Sequence, residues 1–312
     1  MSNKRKLSQD EVNPKRDDDS SNEDSDDSLK EIVDVDFDFF NPDEIDYHAL
    51  KRLLGQLFSS DAELMEVGDI VDILLEENHV GTTVKVDGQE SDPYAILSVI
   101  NLQQQKDNKG IQSLCSYLLN KCPKKYQKLH TTVRDLLSPD AEKSVGWVVS
   151  ERFINMPVEI MVPMYTMLRQ EIAQAVENKE PYQFEWFMFI SKVYKEVAPT
   201  ADEDDNDEEE APAPAQKKAR KGKKAAKATS TAAETFYFQA EDEIVAKYAE
   251  YQFDYRFTNS DKEAASDSKR AFSDFGIAPS RRLFFVHQSK FADLVNEIDT
   301  TCSTVNNPTA SK

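Results

Sequence analysis

Two periods of apolar spacing divide the chain into strands and helices, a period of two marking strands and a period of three to four marking helices. The stretch VDVDFDFFNPDE at 33–44 opens the pattern. Val33, Val35, Phe37 and Phe39 share one parity and Asp34, Asp36 and Asp38 the other, which predicts a strand with one apolar and one acidic face. Aspartate is a poor strand former, so packing of the Val/Phe face has to hold such a strand. The acidic face meets either water or a cationic partner, and the stretch alone leaves both open. Asn41-Pro42 marks a turn and Asp43 can cap a helix. Ile45, Ala49, Leu50, Leu53, Leu54, Leu57 and Phe58 then repeat at helical spacing, predicting an amphipathic helix of about 15 residues.

Further along, LMEVGDIVDILLEE (64–77) reads as a second helix with acids on its outer side. GTTVKV (81–86) and YAILSVINL (94–102), joined by DGQESDP, read as a hairpin. Helices are predicted over 110–122 and, after Pro123, over 124–137. GWVVSERF (146–153) is a strand, 157–177 a long helix opening at Pro157, and FEWFMFISKVYKEV (184–197) a long aromatic strand. The periodicity then stops: 199–232 is a low-complexity run of acids, Ala/Pro and lysines. Order returns with the strand ETFYFQA (234–240), the acidic turn EDEI, and the strand YAEYQFDYRFT (248–258). There Tyr251, Phe253, Tyr255 and Phe257 lie opposite Gln252, Asp254 and Arg256. A polar gap at 259–270 precedes the strand RRLFFVHQ (281–288) and the helix SKFADLVNEI (289–298). Strands and helices interleave, yet several strands are adjacent hairpins, which predicts an α/β (α+β) fold with a mixed sheet flanked by helices. The low-complexity run lies between two aromatic strands. It reads as an insertion within a single domain over 30–298, with tails at 1–29 and 299–312.

Composition sharpens this. With 39 % hydrophobic and 10 % aromatic residues the chain can build a core, and its net charge is −20 with a pI near 4.7. The run 17–27 carries −7, 202–210 carries −8, 217–227 carries +7 and the first sixteen residues +3, which leaves −15 on the remainder. A folded part so acidic repels nucleic acid and membrane phosphates. It attracts basic proteins and raises their association rates by roughly 10 to 10³-fold at low salt. Cys115, Cys122 and Cys302, odd in number and widely spaced, form no disulfide framework and suit a reducing compartment. No apolar run approaches the length of a membrane span and the charged N-terminus lacks the apolar core of a signal peptide, so an intracellular protein off the membrane is expected. In the N-terminal tail, Lys4, Arg5 and Lys6 with Lys15 and Arg16 resemble a bipartite nuclear localisation signal with a short spacer. Ser21 and Ser28 each have an acid three residues on, Asp24 and Glu31, a pattern acidophilic kinases read. An inert solubilising tail accounts for the same residues.

No catalytic constellation emerges. The eight glycines include no pair placed for GxGxxG or a P-loop, and no GxSxG occurs. His48, His79, His130 and His287 are scattered, without HxxxH or CxxC, so no metal and no cofactor are expected. Met156, Met161, Met164 and Met167 crowd one helix, either as core or as an adaptable binding face. No basic patch with interleaved aromatics is read in the ordered stretches.

Four stretches carry a family resemblance: VDVDFDFFNP, VGTTVKVDG, SERFINMPVEIMVPMYTMLRQEI and the aromatic segment that follows. Together they resemble the BCCIP/Bcp family of nuclear proteins from about residue 32 to 298, interrupted by the insertion. The resemblance implies a fold similar to the GCN5-related N-acetyltransferases, used without evident catalysis. It implies a nuclear binding protein linked to ribosome biogenesis, as chaperone of a basic large-subunit ribosomal protein, and to nuclear export of cargo. Animal-type relatives are also linked to DNA repair and cell-cycle partners. The acetyltransferase pyrophosphate loop, Q/R-x-x-G-x-G/A, is missing; the nearest string, RKGKKA, lies in the insertion and lacks the second glycine.

The expectation is therefore a non-enzymatic nuclear chaperone and adaptor, shuttling to the cytoplasm being compatible with export. Its partners would be a basic ribosomal protein and nuclear transport factors, without direct contact to nucleic acid or membrane. Asp34, Asp36, Asp38 and the turn Glu241, Asp242, Glu243 are the candidate acidic face. A histone chaperone or interaction scaffold in repair and cell-cycle control, and an acetyltransferase-like enzyme, are the competing classes.

Overall fold

The computed structural model describes residues 35–196, 235–259 and 276–303. Alternation along the central strands is the key to their placement. In VGWVVSER, Trp147 and Val149 pack to one side and Val148 to the other; in LFFV, Leu283 and Phe285 go one way and Phe284 and Val286 the other. A strand apolar on both parities has to be covered on both faces, and helices cover both.

The strands are β1 (Asp38–Phe40), β2 (Gly81–Lys85), β3 (Ala95–Asn101), β4 (Val145–Arg152), β5 (Trp186–Glu196), β6 (Thr235–Tyr237), β7 (Tyr251–Tyr255) and β8 (Ile277–His287). They form one mixed sheet in the order β1-β2-β3-β4-β5-β8-β7, with β6 on β5. Every pairing is antiparallel except β4 with β5. On one face lie α1 (Tyr47–Phe58), α2 (Val67–Glu76), α3 (Lys109–Lys121) and α4 (Gln127–Leu136). On the other lie α5 (Met161–Glu177), α6 (Ala240–Tyr248) and α7 (Gln288–Cys302). The α5 crossover supplies the return that a parallel β4/β5 pair requires. Met161, Met164 and Met167 are buried against the sheet, so the methionine stripe is core.

Three expectations change. Among the described residues the opening strand covers only Asp38–Phe40, because β2 ends at Lys85, opposite Asp38, and offers residues 35–37 no partner. Its alternation also breaks: Phe39 and Phe40 are both buried and Val35 is exposed. The sequence EDEI is the first turn of α6 and not a loop turn. The C-terminal helix runs on to Cys302, held by the buried Ile298 and Cys302, so 299–302 is not tail. Strands β5 and β6, on either side of 197–234, pair Lys195 with Thr235, so that segment joins two neighbours in the sheet.

Candidate functional site

Acidic residues gather in two places, and the difference between them follows from local sequence. The first is the outer side of α2. From Leu53 to Val84 the chain contains seven Asp/Glu and no Lys or Arg. Val67, Ile70, Val71, Ile73 and Leu74 turn inward on α2. That leaves Glu66, Asp69, Asp72 and Glu76, spaced three or four apart, along the opposite side. Glu66, Asp72 and Glu76 are exposed and Asp69 half-buried. No ion pair joins these four to a cation among the described residues. Glu63, also exposed, stands one turn earlier. Beside the stripe a groove of about 620 Å³ is lined by Leu64, by Ser113, Ser116 and Asn120 of α3, and by Lys121. Leu64 is 47 % exposed and places an apolar contact between the acids and the groove.

The second gathering is buried. Strand β5 follows β4 only through Val145–Val148, paired with Trp186–Phe189. Beyond that point β4 stays with β3 while β5 continues beside β8, and β6 takes up β5's vacated edge at Val193–Lys195. The first turn of α6 enters this fork. Glu241 is fully buried and accepts from Nε and Nη2 of Arg152, both at 3.0 Å, while Arg152 Nη1 donates to the Met156 carbonyl at 2.8 Å. Asp242, 6 % exposed, accepts from Ser191 Oγ of β5 at 2.5 Å. Lys192 bridges the fork directly by its ion pair with Glu151. α6 thus fastens both diverging strands. Acids at a helix start meet its unsatisfied N–H groups favourably.

Burial governs the titration here. It pushes Asp242 up to about 8, aided by the Glu241 charge and opposed by Ser191 and Lys192. Burial likewise raises Glu151, against the pull of Lys192. Burial would lower the Arg152 guanidinium, but Glu241 outweighs it and holds it above its ordinary value.

The expected acidic face is thus not assembled as proposed from the sequence. Asp34 lies outside the described residues, as do Lys4, Arg5, Lys6, Lys15, Arg16, Ser21 and Ser28. Asp36 is exposed ahead of β1 and Asp38 is half-buried across from Lys85. Lys85 itself is fully buried, its ammonium 2.5 Å from Asp46. Glu241 and Asp242 face inward because the fork needs them, and of the three only Glu243 is exposed. A second correction concerns basic residues. Lys124, Lys125 and Lys128 are exposed at the α3–α4 corner, with Lys125 Nζ 4.7 Å from the centre of the Tyr126 ring. The string KKYQK was the legible signal for this small basic, aromatic patch. Among the described residues no group of three or more His, Cys, Asp or Glu is placed to hold a metal ion, and no helix is long and apolar enough to cross a membrane.

Residues 32–245 match the family model BCCIP, a span that contains the α2 stripe and the fork residues. The chain is 39 % identical over 287 residues to Protein bcp1 of Aspergillus oryzae, covering 92 % of each. It is 37 % identical over 268 residues to Protein bcp1 of Schizosaccharomyces pombe, covering 86 % of this chain and 90 % of that protein. The crystal structure of BCP1 from Saccharomyces cerevisiae is similar in fold, with a TM-score of 0.56 at 24 % identity, covering 91 % of this chain and 96 % of that one.

Proposed function

This chain belongs to the BCCIP family, and from that premise we propose that it is a non-catalytic acidic chaperone and adaptor for a basic protein of the large ribosomal subunit. In this reading it acts in the nucleus, supporting ribosome biogenesis and, with nuclear transport factors, export of protein cargo. The observation that carries the reading is the α2 stripe: Glu66, Asp69, Asp72 and Glu76 project from a helix whose other side is core, and none of the four is ion-paired among the described residues. A carboxylate row on a fixed helix meets lysines and arginines without first being ordered, so little conformational entropy is lost on binding. It covers an RNA-seeking surface by charge, and exposed Leu64 and the neighbouring groove add apolar and hydroxyl contacts. Each contact is salt-screened and individually weak, which lets ribosomal RNA, with denser charge, take the client away.

The test is a titration of the full chain with purified large-subunit ribosomal proteins and, separately, core histones. The proposal expects saturable binding of a ribosomal protein that survives deletion of 17–27 and 202–210 with slower association only. Loss of all binding on that deletion, with histones bound more tightly, supports a histone chaperone instead. An acetyltransferase-like activity would show as a rise in melting temperature on adding acetyl-CoA, since a ligand of the folded state stabilises it; none is expected. Neutralising Lys4, Arg5, Lys6, Lys15 and Arg16 should leave the protein in the cytoplasm. Normal nuclear accumulation would remove those clusters as the signal.

A further inference from the structure

The fork between β4 and β5 also encloses space. Where the two strands part, a cavity of about 430 Å³ opens beside Arg152, Lys192 and Arg281, within the size range of small-molecule sites. Its apolar wall is built from Phe153 and Ile154 just past β4, Phe238 ahead of α6, and Phe257 after β7. Ile154, 73 % exposed, stands at the mouth. The charged groups are all of one sign: among the described residues no carboxylate lines the cavity. That is unexpected in a chain of net charge −20.

The cations are held rigidly. Arg152 is fixed by Glu241 and the Met156 carbonyl. Arg281 donates to the carbonyls of Leu57, Ser280 and Gln56 and lies 4.7 Å from the centre of the Phe257 ring. Lys192 is ion-paired with Glu151 on one side, and an ammonium carries three donors. Its side chain is 16 % exposed, so the remaining donors stand at the cavity wall. Glu241 pairs with Arg152 and Glu151 with Lys192, and neither carboxylate lines the cavity.

We propose that this cavity is a binding site for a small organic anion with an apolar body, its carboxylate-type head on the Lys192 ammonium and its body against Phe153, Ile154, Phe238 and Phe257. The site lies apart from the α2 stripe and shares no residue with it. The geometry meets what such a ligand needs: an apolar wall for the body, and preordered cations that lose little freedom on binding.

Three probes with the same ten-carbon body separate the contributions: decanoate, decanol and decyltrimethylammonium, each titrated into the full chain below its aggregation concentration. Decanoate should bind one to one, decanol at least ten-fold more weakly, and decyltrimethylammonium should not compete, although the overall charge favours a cation. Ile154→Glu, at an exposed position where the fold is indifferent, should weaken decanoate about ten-fold by placing a like charge at the mouth. Lys192→Met should weaken decanoate and spare decanol, with melting followed because Glu151 loses its partner. Equal affinity for the three probes, more than one decanoate per chain, or unchanged binding by Ile154→Glu would overturn the proposal. A peptide with a free apolar C-terminus binding far more tightly than decanoate would overturn it in favour of a polypeptide end. None of these results bears on the ribosomal-protein titration, so the two readings fail independently.

Discussion

The α2 stripe and the β4/β5 fork use the same acidic residue types for opposite ends. On α2 the carboxylates lie on the outer side of the helix, three exposed and Asp69 half-buried, unpaired with any described cation. In the fork Glu151, Glu241 and Asp242 are buried, each with a named partner, and the joint between two diverging strands passes through them. Burial separates the roles. A surface carboxylate is free to be given to a client, whereas a buried one is committed to the fold because removing its partner leaves an uncompensated charge in a low-dielectric site. Counting acids along the chain does not tell the two apart; the side of the helix they lie on does.

The sharpest break of this comparison is Arg152→Met. It leaves Glu241 buried without its counter-charge and should cost about 3–5 kcal/mol by urea unfolding. The double change Arg152→Met/Glu241→Leu should regain much of that loss, because apolar replacement of a buried pair is often neutral. A single-variant loss below about 1 kcal/mol would mean that the pair is not holding the fork.

Next comes pH. Asp242 is raised from 3.8 to about 8 in the folded protein, so between those values the native state binds a proton that the unfolded chain does not. The stability this contributes is present at low pH and is lost as pH rises through about 8. Asp242→Asn should flatten the fall in melting temperature between pH 5 and pH 8. An unchanged slope would assign the alkaline loss to another group.

Neutralising the stripe, with Glu66→Gln, Asp69→Asn, Asp72→Asn and Glu76→Gln together, should change stability by less than about 0.5 kcal/mol per site. The smallest effect is expected from Asp36→Asn, since Asp36 precedes β1 and is exposed; neither melting nor client binding should shift measurably. A large binding loss there would return the acidic face to the opening stretch.

Much of this was legible in the sequence where local pattern decides the outcome. The helical spacing of Leu50, Leu53, Leu54 and Leu57, the 81–102 hairpin and the acids outside α2 could be read directly, because amphipathic order is local. The expected strand could not be read through 35–37, since a strand exists only where a neighbour pairs with it and β2 ends opposite Asp38. The first turn of α6 reads as a loop turn in the sequence because an acid run looks solvated. Acids at a helix start are an equally good signal, and only the parting of β4 and β5 makes a buried place for them. Strand β8 extends beyond the expected 281–288 back to Ile277, and Pro279 is tolerated there because β7 pairs only with Arg281–Phe285. The cavity had no sequence signature: Lys192, Ile154, Phe238 and Arg281 meet only through the sheet's topology.

The measurement that most directly tests the role of the stripe is the salt dependence of client association. A large-subunit ribosomal protein that binds the wild type would be titrated, from low to physiological salt, into the fourfold stripe variant. The account predicts association at least ten-fold slower at low salt and a shallower dependence of affinity on salt, with melting unchanged. Unaltered rates and salt slope in a folded variant would contradict it.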